Sequence, residues 1–188
     1  MVVRISIAAS SDEPSEEIIR ASKIFIDSLK ECLGSFIIYL GGYWGLMKHI
    51  AEYSCSLGIP CVFILPEKPR EDPPRKECFY PVYTGLSMRQ RSETLVLSGD
   101  VLASLGGGVG TEIEILMAYA NSIPAYVLTG FGMDSDVFEK ALSPYADSRK
   151  LSVIRVFRRD PSGMAKEICL DILKRNKDRN LTTARKIG

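Results

Sequence analysis

The residues of this chain best placed to do chemistry stand at the end of a glycine tract, Leu105-Gly106-Gly107-Gly108-Val109-Gly110-Thr111-Glu112-Ile113-Glu114. An apolar run, Val101 to Leu105, leads into the tract and reads as a short buried strand, and Ile113 to Ala120 reads as a helix. A strand, glycines and a helix start in that order form a phosphate cradle. Glycine backbone lets N–H groups approach an anion, and the helix adds the positive end of its dipole. The expected ligand is a phosphorylated small molecule, held by Gly107, Gly108, Gly110 and Thr111. Glu112 and Glu114 then fall in the first helical turn, where a carboxylate repels phosphate unless it faces a sugar or a reacting carbon. The same residues also fit a capping box, Thr111-x-x-Glu114, whose side chains serve only the helix start. Glycine is denser here than a tight turn needs, which favours the cradle.

Other chemistry-bearing residues are scarce. His49 is the only histidine, so neither a histidine triad nor a zinc site of the usual ligands is expected, and no cofactor is implied. Carboxylate-held metals stay open. His49 itself falls in a helical segment and reads as a surface or packing residue. The cysteines, Cys32, Cys55, Cys61, Cys78 and Cys169, form no C-x-x-C pair, and their odd number and irregular spacing suggest no disulfide framework. Cys55 and Cys169 fall in apolar patterns, as small core residues do. With 24 Lys plus Arg against 23 Asp plus Glu, there is no net field to draw in nucleic acid or a membrane surface. No apolar run approaches the ~18 residues of a spanning helix. The start of the chain lacks the pattern of a signal peptide, so the expected location is cytoplasmic.

The elements that must position these residues alternate along the chain. Strands are expected at Val3–Ala9, Ser35–Leu40, Pro60–Leu65, Val101–Leu105, Ala125–Leu128 and Ser152–Val156. Helices are expected at Glu16–Cys32, Leu46–Leu57, Leu86–Ser98, Ile113–Ala120, Ser135–Ala141 and Ser162–Lys174. Between Pro66 and Pro81 five prolines among many charges read as a long surface loop. The basic stretch Lys174 to Arg179 reads as a fraying end. Apolar strands separated by helices imply an α/β fold, a doubly wound parallel sheet in three layers, with residues 1–188 forming one Rossmann-like domain. Ligands bind such sheets at the carboxyl ends of the strands, where Ser10, Gly41, Gly42 and the tract from Gly106 to Gly110 collect.

The dinucleotide fingerprint is missing, because Ala8-Ala9-Ser10-Ser11 follows the first strand, and so is the G-K-[ST] ending of a P-loop. The motifs present resemble the LOG (Lonely Guy) family, often labelled lysine-decarboxylase-like, and its relatives among the molybdenum-cofactor carrier proteins. The family pattern P-G-G-x-G-T-x-x-E is matched from Gly107 to Glu114, with Gly106 in place of the proline. G-G-G-x-x-G-L-M is matched, but for one glycine, by Gly41-Gly42-Tyr43-Trp44-Gly45-Leu46-Met47, and M-x-x-R-K by Met88-Arg89-Gln90-Arg91-Ser92 without its lysine. An N-terminal G-S-S becomes Ala9-Ser10-Ser11.

The resemblance implies a homodimer and one of two functions. Enzymes of the family hydrolyse the N-glycosidic bond of nucleoside 5′-monophosphates, whereas the carriers bind a phosphorylated pterin without that chemistry. For the enzyme, Glu114 would stabilise the oxocarbenium-like sugar and orient water. Arg91 would hold the phosphate or position Glu114; otherwise it lies on a solvated face or in an ion pair. Tyr43 and Trp44 would stack on a base or pack in the core.

Overall fold

In the computed structural model, the backbone of residues 2–187 and the side chains of residues 2–175 are described. Seven parallel strands form one sheet in the order β4-β3-β2-β1-β5-β6-β7. They are β1 (Val3–Ala8), β2 (Phe36–Leu40), β3 (Cys61–Leu65), β4 (Phe79–Tyr83), β5 (Val101–Ser104), β6 (Ala125–Thr129) and β7 (Ile154–Arg158). The helices are α1 (Glu16–Leu33), α2 (Gly45–Ser56), α3 (Met88–Ser98), α4 (Val109–Ala120) and α5 (Pro161–Ile187). This is the doubly wound, three-layer α/β architecture expected. Helices α1, α2 and α5 pack together, and α3 packs on α4. Strands β5 and β6 are buried at every residue, which is why they read as continuous apolar runs.

Local chemistry fixes the helix ends. The Ser15 side chain accepts the Ile18 N–H at the start of α1, Glu16 and Glu17 complement the dipole, and Gly34 ends the helix at φ 72°. Ser87 and Gln90 form a capping box on α3. On α1, Ile18, Phe25 and Leu29 are fully buried, and Ala21 is nearly so.

Several expectations need correction. The stretch read as loop up to Pro81 contains the start of β4, whose Phe79 pairs with Cys61 and whose Tyr83 pairs with Leu65. Only Phe79 of this edge strand is buried, so it carries no apolar pattern, and an edge strand tolerates a proline such as Pro81. Between β6 and β7 the chain forms a 3-10 helix, Asp134–Glu139, rather than an α-helix. Helix α5 runs on through the stretch expected to fray.

The cysteines are paired against expectation: Cys32 of α1 with Cys169 of α5, and Cys55 of α2 with Cys78 just before β4. The partners lie 137 and 23 residues apart in sequence, and only helix packing brings them together. Bridges of this kind persist in oxidising compartments and in the cytosol of hyperthermophiles. Cys61 is left free and buried, and burial pushes its thiol up to about 12. Among the described residues no helix is long and apolar enough to cross a membrane.

Candidate functional site

The strand order reverses between β1 and β5, and the chain leaves these two strands in opposite directions. Their carboxyl ends open on a cleft of about 260 Å³, the position where open α/β sheets take ligands. Ser10, Ser11 and Asp12 after β1 form one wall, with Trp44 and Met47 beside them. Arg70 reaches in from the β3–β4 connection; α3 supplies Met88, Arg89, Arg91 and Ser92, and the α4 region supplies Gly108, Gly110, Thr111 and Glu114.

Arg91 and Glu114 meet at the floor, their side chains 6% and 10% exposed. Arg91 Nη1 stands 3.6 Å from Glu114 Oε1, close enough for charge attraction and too far for a hydrogen bond. Ser92 Oγ donates to that same oxygen at 2.8 Å. Arg91 Nη2 reaches only the Met88 sulfur at 3.3 Å, and Nε and Nη1 have no hydrogen-bond partner among the described residues. Buried guanidinium donors are normally satisfied, so this arginine is short of an acceptor. Burial raises the Glu114 pKa, opposed by Arg91 and Ser92. Burial likewise lowers that of Arg91, despite Glu114.

The glycines divide by purpose. Within the tract only Gly106 has positive φ, +90°, so the conformational argument made for the whole tract applies there alone. Gly107 is tied to the 3-10 helix after β6, donating to Ser135 Oγ at 3.1 Å and accepting the Ser135 N–H at 3.0 Å. Gly108 is the N-cap of α4 and Arg89 lies against Gly110, its Nη1 3.1 Å from where a Cβ would stand. Since α4 begins at Val109, Glu114 belongs to its second turn. The Thr111–Glu114 capping box is not formed, and Glu114 faces α3 instead. A Cβ on Gly41 would lie 1.9 Å from Arg91 Nη1, and one on Gly42 would lie 2.3 Å from the Trp44 ring.

Of the expected site residues, Ser10, Gly108, Gly110, Thr111, Arg91 and Glu114 share the cleft. Gly41, Gly42 and Gly107 stand behind it as close-packing positions. Tyr43 packs edge-on against Phe63 and Phe79 at 5.8 and 5.7 Å, while Trp44 faces the cleft. Asp12, Arg70 and Arg89 were not singled out from the sequence. Arg89 lies inside the motif around Arg91, but Arg70 sits in a proline-rich connection that carries no signal. Among the described residues no cluster of three or more His, Cys, Asp or Glu is placed to hold a metal ion.

Comparison with known proteins adds the family. The model of the SLOG cluster4 family matches residues 27–156. The chain belongs to the SLOG cluster4 family. Among solved structures, this SLOG chain is similar to the structural-genomics protein TM1055 at 25% identity and a TM-score of 0.71, over 88% of this chain and 99% of that one. It shares its fold with the molybdenum cofactor binding protein of Rippkaea orientalis, at 18% identity and a TM-score of 0.66, over 93% of this chain and 96% of the other. The same holds for the molybdenum cofactor carrier protein of Chlamydomonas reinhardtii, at 19% identity and a TM-score of 0.66, over 91% and 99% of the two chains. No curated protein matches the sequence. The matched SLOG region contains both strand-end glycine motifs, the Arg91 segment and Glu114, and leaves β1 and Ser10 outside.

Proposed function

We propose that the protein is a nucleoside 5′-monophosphate phosphoribohydrolase, splitting its substrate with water into free base and ribose 5-phosphate. The observation that carries this reading is Glu114 buried on the cleft floor, beside an arginine with two nitrogens that lack a hydrogen bond among the described residues. The phosphate lies at the first turn of α4, against Gly108, Gly110 and Thr111, where orphan N–H groups and the helix dipole favour an anion. Arg91 turns its free nitrogens to the ligand. As the C–N bond breaks, positive charge grows on the ribose, and the ionised Glu114 carboxylate stabilises it in surroundings that screen poorly. Ser92 holds one carboxylate oxygen, leaving the other for the incoming water. Trp44, largely buried but lining the cleft, gives the base an apolar contact.

Wild-type protein incubated with a panel of nucleoside monophosphates is expected to release free base, measured by chromatography. Intact recovery of every nucleotide would sink the enzyme reading and leave the second one, a non-catalytic carrier of a phosphorylated, nucleotide-like cofactor such as molybdenum cofactor. Two substitutions favour that reading: Ser92 replaces the lysine of the LOG pattern and Gly106 its proline. The two fold neighbours that handle molybdenum cofactor agree with it.

Gly41 supplies a further test. Alanine there drives a methyl group into the Arg91 guanidinium, which must swing away from the cleft. Affinity for AMP is expected to fall roughly tenfold or more, the worth of a charged hydrogen bond, with the fold unchanged by circular dichroism. Unaltered affinity in calorimetry would show that Arg91 does not hold the ligand.

The proposal includes a homodimer. Val109, Ile113 and Leu116 of α4 are exposed at one-turn spacing, and Leu97 of the neighbouring α3 is 49% exposed, an apolar stripe of the kind that marks an interface. Sedimentation is expected to give a dimer at micromolar concentration, and Ile113→Lys with Leu116→Lys to give a monomer. A wild-type monomer would refute it.

A further inference from the structure

Three charged residues of the connection between β3 and β4 turn to partners away from the cleft. Glu71 pairs with Lys48 at 2.5 Å, Asp72 accepts from the Tyr83 hydroxyl at 3.1 Å, and Lys76 pairs with Glu52. Arg70 does the opposite. Its side chain lines the cleft, and Nη1 donates to the Ser11 carbonyl at 3.3 Å. No carboxylate lies within ion-pair distance of it among the described residues. A backbone carbonyl fixes one arm of a guanidinium without neutralising it, so the rest of the fork stays available at the cleft mouth.

Arg89 stands on another element, against the first turn of α4 at Gly110, and it too has no ion-pair partner among the described residues. With Arg91 on the floor, the cleft is lined by three arginines against two carboxylates, Asp12 and Glu114. One phosphoryl group at the start of α4 is already served by the helix amides and Arg89. It leaves Arg70, held against the β1–α1 wall by the Ser11 carbonyl, without an anionic partner.

We infer that the cleft has a second phosphoryl subsite in series with the first, so that it also takes nucleoside 5′-diphosphates and holds them more tightly than the monophosphate of the proposed reaction. The inference rests on the nucleotide reading above. The phosphoryl next to the ribose lies at the start of α4 with Arg89. The outer one lies at the solvent-facing mouth with Arg70, which therefore sets the preference for diphosphate over monophosphate.

Calorimetry with AMP and ADP on the full-length wild type, Arg70→Gln and Arg91→Met tests it. Arg70 is exposed, so Arg70→Gln leaves the packing alone. The wild type is expected to bind ADP at least tenfold more tightly than AMP. Arg70→Gln is expected to erase that difference while holding AMP affinity within about twofold, and Arg91→Met to weaken both nucleotides. Equal affinities in the wild type, or an Arg70→Gln variant that weakens both nucleotides alike, would overturn the diphosphate inference and leave the nucleotide reading standing. Failure of both nucleotides to bind the wild type would overturn the two together.

Discussion

Glu114→Gln is expected to reduce base release from a nucleoside 5′-monophosphate by roughly a hundredfold or more, with affinity for the same nucleotide nearly unchanged. A carboxylate that acts on charge present only in the transition state contributes to turnover and little to ground-state binding, and the loss of one such electrostatic contact typically costs that much. Glutamine keeps the Oε1 that Ser92 donates to, so the floor of the cleft stays packed. Burial raises the Glu114 pKa, so the limb along which turnover rises with pH should have its midpoint above the ordinary carboxylate range. Stability moves the other way. A carboxyl group with a raised folded pKa holds more protons in the native state, so stability falls as pH rises from the unfolded value through the folded one. The glutamine variant should lose both pH dependences. Initial rates and thermal melts across pH measure them; a variant that keeps full turnover would remove Glu114 from the reaction.

Arg91→Met combined with Glu114→Gln is expected to raise thermal stability while abolishing nucleotide binding. The wild-type pair sits in a poor position for stability: both charges are desolvated, the ion pair is stretched to 3.6 Å, and two guanidinium nitrogens lack hydrogen-bond partners among the described residues. Replacing a buried pair with groups that need no charge compensation commonly stabilises by about 1–4 kcal/mol. Each kcal/mol corresponds to about 2–4 °C in Tm for a chain of this size. Methionine matches the length of the arginine stem and suits a floor already lined by Met47, Met88 and Leu95. Removing both charges leaves no uncompensated partner behind. Calorimetry should show AMP affinity down at least a hundredfold in the same variant whose melting temperature rises. A lower melting temperature would mean that the pair holds the fold together rather than waiting for a ligand.

The sequence by itself determined six of the seven strands and the order that brings the glycine motifs to their carboxyl ends. Strands such as Ala125–Thr129, buried at every residue, must be apolar throughout, and that run is legible because burial on both faces permits little else. The same holds for the buried face of α1, whose apolar residues recur three or four positions apart. Edge strand β4 was illegible for the opposite reason, since four of its five residues are exposed. Its hydrogen bonds to β3 come from backbone that every residue carries, so its side chains leave no record of the pairing. Tertiary structure alone paired the cysteines, because contact between α1 and α5 joins residues 137 positions apart. It also decided what each site residue does. Spacing allowed Glu114 to cap its own helix, but α4 begins at Val109 and turns Glu114 toward Ser92 and Arg91. Gly41 is small because an arginine 50 residues further along the chain lies against it. Arg70 reaches the cleft only because its connection folds back over the β1–α1 wall. Contacts of this kind depend on where distant elements pack, and a single sequence records the residue types without recording which of them meet.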